Sequence, residues 1–139
     1  MTQDAGGPAR PVWEGLFELT PAGEPALCGH RCRACGRTGL LSVRICPNCL
    51  AEGSTEPVAL GPRGVLYSFT VIHQGPKGFR VPYVVGYVDL PEGVRILGHV
   101  GGDPARLRGG MSVRLTIDTI GWAEDGARLL GPRFEPTVE

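Results

Sequence analysis

Five cysteines lie between positions 28 and 49, and the rest of the 139-residue chain has none. Four of them form two CxxC pairs, separated by ten residues. Each CxxC turn points two sulfur atoms toward one point, and two such turns at the ends of a hairpin complete a tetrahedral set of four thiolates. This spacing predicts one structural zinc ion, held by Cys32, Cys35, Cys46 and Cys49.

Three other kinds of site use cysteines in similar patterns. A single iron ion also accepts four thiolates. A redox-active CxxC belongs to a βαβ setting, which this sequence lacks. Cys28, Cys32 and Cys35 form a CxxxCxxC that resembles the cluster motif of radical enzymes, but those enzymes have far longer chains. We expect Cys28 to be a space-filling or partly exposed thiol, and His30 is not needed as a ligand.

Four arginines accompany the cysteines, and no acidic residue lies between positions 28 and 50. These arginines are Arg31, Arg33, Arg37 and Arg44. Two interpretations stay open. The positive charges either offset the negative charge of a metal–thiolate centre, or form a basic patch that faces phosphates or an acidic partner.

Catalytic chemistry has no recognisable motif in this sequence. Only three histidines are present, and there is no nucleophile elbow, Walker loop or dinucleotide fingerprint. A metal with four cysteine ligands has no open position for water or substrate. The sequence therefore predicts a binding or scaffolding subunit that is not catalytic by itself.

The segment 74–82, QGPKGFRVP, is the most unusual feature outside the cysteines. Lys77 and Arg80 offer positive charge, and Phe79 offers a flat apolar face. Cations and an aromatic ring on a Gly/Pro frame suit phosphates and an adenine ring. The alternative is a mobile hairpin tip without a ligand.

The elements that must position these residues are mostly strands. Glycine and proline supply 22 and 13 residues, which argues against a helical protein. Strands are predicted at 64–73, 83–90, 94–100, 111–120 and roughly 127–130, with a short helix over 103–110. Five strands with a helix after the third are typical of an OB-fold barrel, in which the loop after the first strand contacts ligands. An SH3-like barrel or a small sandwich is the alternative.

The N-terminal segment carries three bulky apolar residues, Trp13, Leu16 and Phe17, at helical spacing. Pro11 suits the start of a helix, so a short amphipathic helix is predicted, with an anchored loop as the alternative. A small domain has little room to bury these side chains together with those of a ribbon. We expect them to form part of a partner interface.

Charge and hydrophobicity limit the classes of partner. Lys plus Arg and Asp plus Glu both total 14, so the basic excess of a nucleic-acid binder is missing. No uncharged apolar stretch approaches the roughly 20 residues of a membrane span, and the first residues lack the apolar core of a signal peptide. We expect a cytoplasmic protein with three parts: an N-terminal tail and short helix (1–27), a zinc ribbon (28–60) and an OB-fold (61–139).

Taken together, these motifs resemble the DUF35 family of rubredoxin-like zinc-ribbon proteins with an OB-fold. The resemblance covers roughly residues 11–135. It is carried by Trp13, RCxxCG at 31–36, RxCPxC at 44–49, GxxYSFTV at 64–71 and Pro82-Tyr83. Leu41-Ser42-Val43 stands where family members often have an aromatic residue and two prolines, so the detail of the ribbon hairpin differs.

The resemblance implies a partner. Such proteins are non-catalytic subunits of thiolase-superfamily enzymes, which act on acyl-CoA in a condensation, an aldol cleavage or an acyl transfer. It implies a two-plus-two hetero-oligomer with acyl-CoA at the interface, and places Lys77, Phe79 and Arg80 near the CoA. The alternatives are an OB-fold nucleic-acid-binding protein or a stand-alone CoA-binding protein.

Overall fold

Ten strands and one 3-10 turn form the computed structural model, which describes residues 8–137. The strands are β1 (Ala9–Pro11), β2 (Phe17–Leu19), β3 (Pro25–Cys32), β4 (Thr38–Leu40), β5 (Thr55–Leu60), β6 (Arg63–Ile72), β7 (Tyr83–Asp89), β8 (Arg95–Val100), β9 (Ser112–Trp122) and β10 (Arg128–Pro136). The predicted mainly-β class is confirmed. Residues 1–7 of the predicted tail lie outside the described part. Within 8–137 no helix has the length and apolar character to cross a membrane.

Five strands close a barrel. The neighbours run β10-β8-β7-β6-β9, and β9 also pairs with β10. The β8–β10 pair is parallel, and every other pair in the ring is antiparallel. β6 reaches two partners: residues 63–65 pair with β9, and residues 65–72 pair with β7 on both sides of a bulge between Leu66 and Ser68. This connectivity is that of an OB-fold, which confirms the predicted barrel over the SH3-like and sandwich alternatives.

The helix predicted over 103–110 is reduced to a 3-10 turn, Pro104–Arg106. The expected cap is present, since the Asp103 carboxylate accepts a hydrogen bond from the Ala105 amide at 3.0 Å. The turn ends early because the following chain returns to the barrel. There the Gly110 amide donates to the Leu66 carbonyl of β6 at 2.7 Å.

The N-terminal segment is not the predicted helix. β1 pairs with barrel strand β10, β2 pairs with β3, and the intervening residues turn, with the Leu16 amide 3.4 Å from the Trp13 carbonyl oxygen. A helix of this length has few internal hydrogen bonds and Gly15 weakens it further. Pairing with existing strands satisfies more backbone groups, so tertiary contacts override the helical spacing.

The ribbon is built around β3. β5 covers one edge of β3, while β2 and then β4 pair along the other edge. Leu27 of β3 and Leu60 of β5 are fully buried in the same apolar cluster as barrel residues such as Phe134. Burying one leucine stabilises a fold by about 1.5–3 kcal/mol, so the ribbon base and the barrel support each other. The division at residues 60 and 61 stays a prediction.

Candidate metal centre and barrel ligand face

The four CxxC cysteines converge on one point. Their sulfur atoms all lie within 4.8 Å of one another. The Cys32–Cys49 and Cys35–Cys46 sulfur pairs are each 3.7 Å apart. A tetrahedron with metal–sulfur bonds of about 2.3 Å has edges of about 3.8 Å. The donors and their spacing therefore fit a closed tetrahedral metal site, as the sequence predicts.

The two knuckles share one backbone design. In the first, the Cys32 amide donates to the Arg37 carbonyl at 2.9 Å and the Gly36 amide donates to the Cys32 carbonyl at 2.8 Å. In the second, Cys46 and Leu50 make the matching bonds at 3.0 and 2.8 Å. The residue after each second cysteine has positive φ, +82° at Gly36 and +66° at Leu50. The first position suits glycine, whereas the second holds a leucine in a costly conformation.

Hydrogen bonds to sulfur prepare part of the cluster for metal binding. The Asn48 side-chain amide donates to the Cys35 sulfur at 3.4 Å, and this bond, with a backbone amide at Arg37, lowers the pKa of Cys35 to about 6. The backbone amides of Cys49 and Asn48 lower the pKa of Cys46. At Cys49 the Ala51 amide lowers the pKa, but burial and the neighbouring cysteines outweigh it and raise the value to about 11. The thiolate form, which binds metal, is thus favoured at Cys35 and Cys46.

His30 and Cys28 lie outside this donor set. His30 is 3% exposed, and its Nδ1–H donates to the Leu41 carbonyl at 2.7 Å, so its role is to fasten β3 to the following hairpin. Cys28 is half-buried on β3 and is not one of the four clustered sulfurs. Burial and the negative charge of Glu18 raise the pKa of its thiol. Cys28 agrees with the expected space-filling or partly exposed thiol, and His30 is not among the clustered ligands.

Two of the four ribbon arginines lie beside acidic groups of β5 and the preceding loop. Arg33 contacts Glu56 at 3.9 Å and donates to the Gly53 carbonyl at 3.2 Å, and Arg44 contacts Glu52 at 3.4 Å. All these groups are well exposed, so each pair contributes little to stability. Glu52 and Glu56 lie after the stretch 28–50, which has no acidic residue. They therefore lower the net positive charge that the sequence of this stretch indicates.

The 74–82 loop folds onto the end of β9. The Trp122 amide donates to the Gly78 carbonyl at 2.9 Å, and the Arg80 guanidinium stacks 4.3 Å from the Trp122 ring centre. Lys77 reaches Glu124 of the β9–β10 turn at 3.8 Å, with both side chains almost fully exposed. In OB-folds the loops after the first and fourth barrel strands frame the ligand face. Here these two loops contact each other.

Behind this loop lies a cavity of about 360 Å³. Its wall includes four groups that sequence reasoning did not select, Tyr83, His99, Trp122 and Arg133. The Tyr83 and His99 rings stack with their centres 5.0 Å apart, and Phe79 packs 5.7 Å from His99. Burial and the positive charge of Arg133 lower the pKa of His99. The predicted OB-fold brings the fourth and fifth strands to the loop, but it does not indicate which of their side chains line the cavity.

The three predicted interface residues differ in exposure. Trp13 is 63% exposed, whereas Leu16 and Phe17 are partly buried and pack against the main core. The spacing therefore identifies one protruding residue and two anchors. Sequence reasoning missed other protruding apolar residues on the N-terminal segment and the ribbon, namely Leu19 and Leu50. Their exposed fractions are 68% and 74%.

Residues 57–118 match the family model described as the C-terminal OB-fold domain of ChsH2. The chain is 39% identical over 110 residues to the benzoylsuccinyl-CoA thiolase subunit BbsA of Thauera aromatica, covering 79% of this chain and 76% of that protein. It is 35% identical to a DUF35 domain-containing scaffold protein of Methanocaldococcus jannaschii, covering 79% of this chain and 81% of the relative.

The chain belongs to the DUF35 family. The structure of this DUF35 chain is also similar to one in the solved Ltp2-ChsH2(DUF35) aldolase, with a TM-score of 0.64 and 31% identity. The match covers 81% of this chain and 86% of the other. The resemblance stated from the sequence motifs is thereby confirmed.

Proposed function

We propose that this DUF35 chain is a non-catalytic accessory subunit of a thiolase-like enzyme that acts on acyl-CoA. The observation that carries the proposal is the 39% identity to a named thiolase subunit over 79% of the chain. The similar chain in an aldolase structure supports the same kind of role. The partner supplies the reacting groups for a condensation, an aldol cleavage or an acyl transfer. The cytoplasmic location belongs to the same proposal.

The metal of the ribbon is zinc in this proposal. Support comes from the donor set of four thiols, in which two sulfur separations of 3.7 Å match the edges of a tetrahedron of zinc–sulfur bonds and all sulfurs lie within 4.8 Å of one another. A bound zinc ion would supply structural cross-linking of the two knuckles and nothing else. Its four protein ligands leave no position for a substrate.

The partner docks on the N-terminal segment and the ribbon. Trp13 and Leu19 protrude from the first, and Ile45 and Leu50 from the second, with exposed fractions between 48% and 74%. Apolar side chains of this size at a surface are typical of an interface core. Leu16 and Phe17 act as anchors beneath Trp13. The assembly contains two copies of each chain.

The 74–82 loop borders the route by which acyl-CoA reaches the partner. Phe79 and Arg80 are the residues that support this role, because both lie against the cavity-bearing end of the barrel. Lys77 is a weaker candidate, since it is 87% exposed beside Glu124.

Co-expression with a thiolase-like chain tests the docking surface. We expect Trp13→Ala with Leu50→Ala to remain folded and to lose most of the partner in co-purification. The acyl-CoA activity of the mixture should fall in proportion to the partner that is lost. Leu97→Ala is the matched control, because Leu97 is 59% exposed on barrel strand β8 and outside the proposed surface. If the double variant still co-purifies with the partner as well as the unaltered chain, or if only Leu97→Ala loses the partner, the interface lies elsewhere. Full acyl-CoA turnover by this chain alone would refute the accessory role.

A further inference from the structure

The cavity behind the 74–82 loop combines flat rings with positive charge. Its volume of about 360 Å³ lies at the small end of the range for small-molecule sites, about 300–1,000 Å³. The charged side chains in its wall are Arg80 and Arg133, and no carboxylate is part of the described wall. Such a wall favours an anion over a cation, although Arg133 already has carboxylate partners, and the rings beside it offer contact area to a planar group.

The rings are already stacked and positioned by the fold. Tyr83 and His99 are nearly parallel, with an interplanar angle of 16°. The Arg80 guanidinium, also in the cavity wall, lies over the Trp122 ring, and a second hollow of about 350 Å³ shares these two residues. A heteroaromatic base that stacks on such rings gains contact area without ordering new side chains.

Arg133 is paired with two carboxylates at the cavity wall. Its Nε lies 3.0 Å from the Glu135 carboxylate, and its Nη1 lies 3.7 Å from that of Asp118. Neither carboxylate lines the cavity. The guanidinium is therefore fixed in place and keeps donors for a further acceptor, and its planar fork suits phosphate oxygens.

We propose that this cavity binds a phosphorylated adenine nucleotide group, with the base against the aromatic rings and a phosphate at Arg133 and Arg80. Two sources share this chemistry. One is the nucleotide end of CoA, and this choice rests on the proposed function. The other is a free adenine nucleotide, which would bind whatever the partner does.

Fluorescence titration of the purified full-length chain tests the site. Trp13→Phe leaves Trp122 as the single tryptophan of the chain, so its emission reports on the cavity and the hollow beside it. The probes are CoA, ADP, adenosine and inorganic pyrophosphate. We expect saturable quenching by CoA and ADP, and at least tenfold weaker binding of adenosine and of pyrophosphate. A preference for CoA over ADP assigns the nucleotide end of CoA as the source, and equal affinity assigns a free nucleotide.

Variants separate the site from general charge effects. Arg80→Gln and Arg133→Gln should each weaken nucleotide binding about tenfold, whereas Arg63→Gln, exposed at the start of β6, should not. Arg80 is exposed, so we expect Arg80→Gln to stay folded. It can therefore test the site even if Arg133→Gln destabilises the fold. The proposal is overturned if CoA and ADP cause no saturable change at millimolar concentration, or if pyrophosphate binds as tightly as ADP. Partner association is measured separately, so failure here leaves the accessory role standing.

Discussion

Gly78→Ala should detach the 74–82 loop from β9. Gly78 has a φ of +94°, and a Cβ built on it would lie 2.3 Å from the backbone oxygen of Trp122. That oxygen belongs to a barrel strand, so it cannot move aside as a flexible side chain could. The substitution also endangers the hydrogen bond from the Trp122 amide to the Gly78 carbonyl, 2.9 Å long.

Two costs add at this position. An L-residue in the left-handed region costs about 1–2 kcal/mol, and loss of the hydrogen bond costs about 0.5–1.5 kcal/mol. We therefore expect the free energy of unfolding to fall by about 1.5–3.5 kcal/mol. The loss cannot exceed the free energy with which the loop docks on β9, because the loop can detach while the barrel stays folded. Gly93→Ala is the matched control, because Gly93 has a φ of +89° and nothing within 4 Å of its built Cβ. It should show the conformational cost alone, about 1–2 kcal/mol.

Guanidinium unfolding of both variants measures this difference. Trp122 emission in the Trp13→Phe background reports whether the loop still covers β9. We expect Gly78→Ala alone to red-shift that emission, because loop release exposes the indole to water. Equal destabilisation by the two variants, together with unchanged Trp122 emission, would show that the loop does not pack on β9 as described.

Two further predictions concern the metal and pH. Metal analysis of the unaltered protein should give roughly one equivalent of zinc per chain. Cys46→Ser should abolish this zinc and lower the melting temperature. Cys28→Ser should change neither, because Cys46 belongs to the sulfur cluster and Cys28 does not. Full zinc content in Cys46→Ser would contradict this. The folded protein lowers the pKa of His99, so the unfolded chain binds its proton first and stability should fall as pH drops below about 6.5. His99→Gln should reduce this loss in urea unfolding at several pH values, and an identical pH dependence would rule out His99 as its source.

The cluster of four cysteine sulfurs could be predicted from sequence because its information is local. Each knuckle is a turn of four or five residues, so the CxxC spacing alone fixes where two sulfurs point. Only the joining of the two knuckles needs longer-range structure, and the intervening hairpin supplies it. Cys46 and Cys49 therefore meet Cys32 and Cys35 as the pattern requires.

The barrel strands could also be predicted, although their ends could not. Alternating residues and turn signals locate β6 to β9 within a few positions. β10 extends to Pro136, well beyond the predicted end near residue 130, even though Pro132 has no amide to donate. Pro132 lies opposite Ile117 within a ladder that continues on both sides, so neighbouring pairs hold it in the sheet. This support comes from pairing with another strand, so the β-propensity of the residues around Pro132 does not reveal it.

The cavity could not be predicted because its wall is assembled by topology. Tyr83 begins β7, His99 lies on β8, Trp122 ends β9 and Arg133 lies on β10. They are far apart in sequence, and no motif links them. The parallel pairing of β8 with β10 places His99 directly opposite Arg133, and that pairing follows only from closure of the barrel.

Leu50 carries two costs that the isolated chain does not recover. Gly36 occupies the equivalent position of the first knuckle with the same hydrogen bond and no side chain to strain. A leucine with a φ of +66° costs about 1–2 kcal/mol, and its side chain is 74% exposed and outside the main apolar cluster. Backbone strain of this kind persists where the surrounding structure imposes it, as the hydrogen bonds of the knuckle do here. A surface that covered Leu50 would recover its apolar burial, about 1.5–3 kcal/mol, which is enough to offset the strain. Within the proposed docking surface, the second knuckle is therefore a better candidate for the centre of the partner interface than the N-terminal segment.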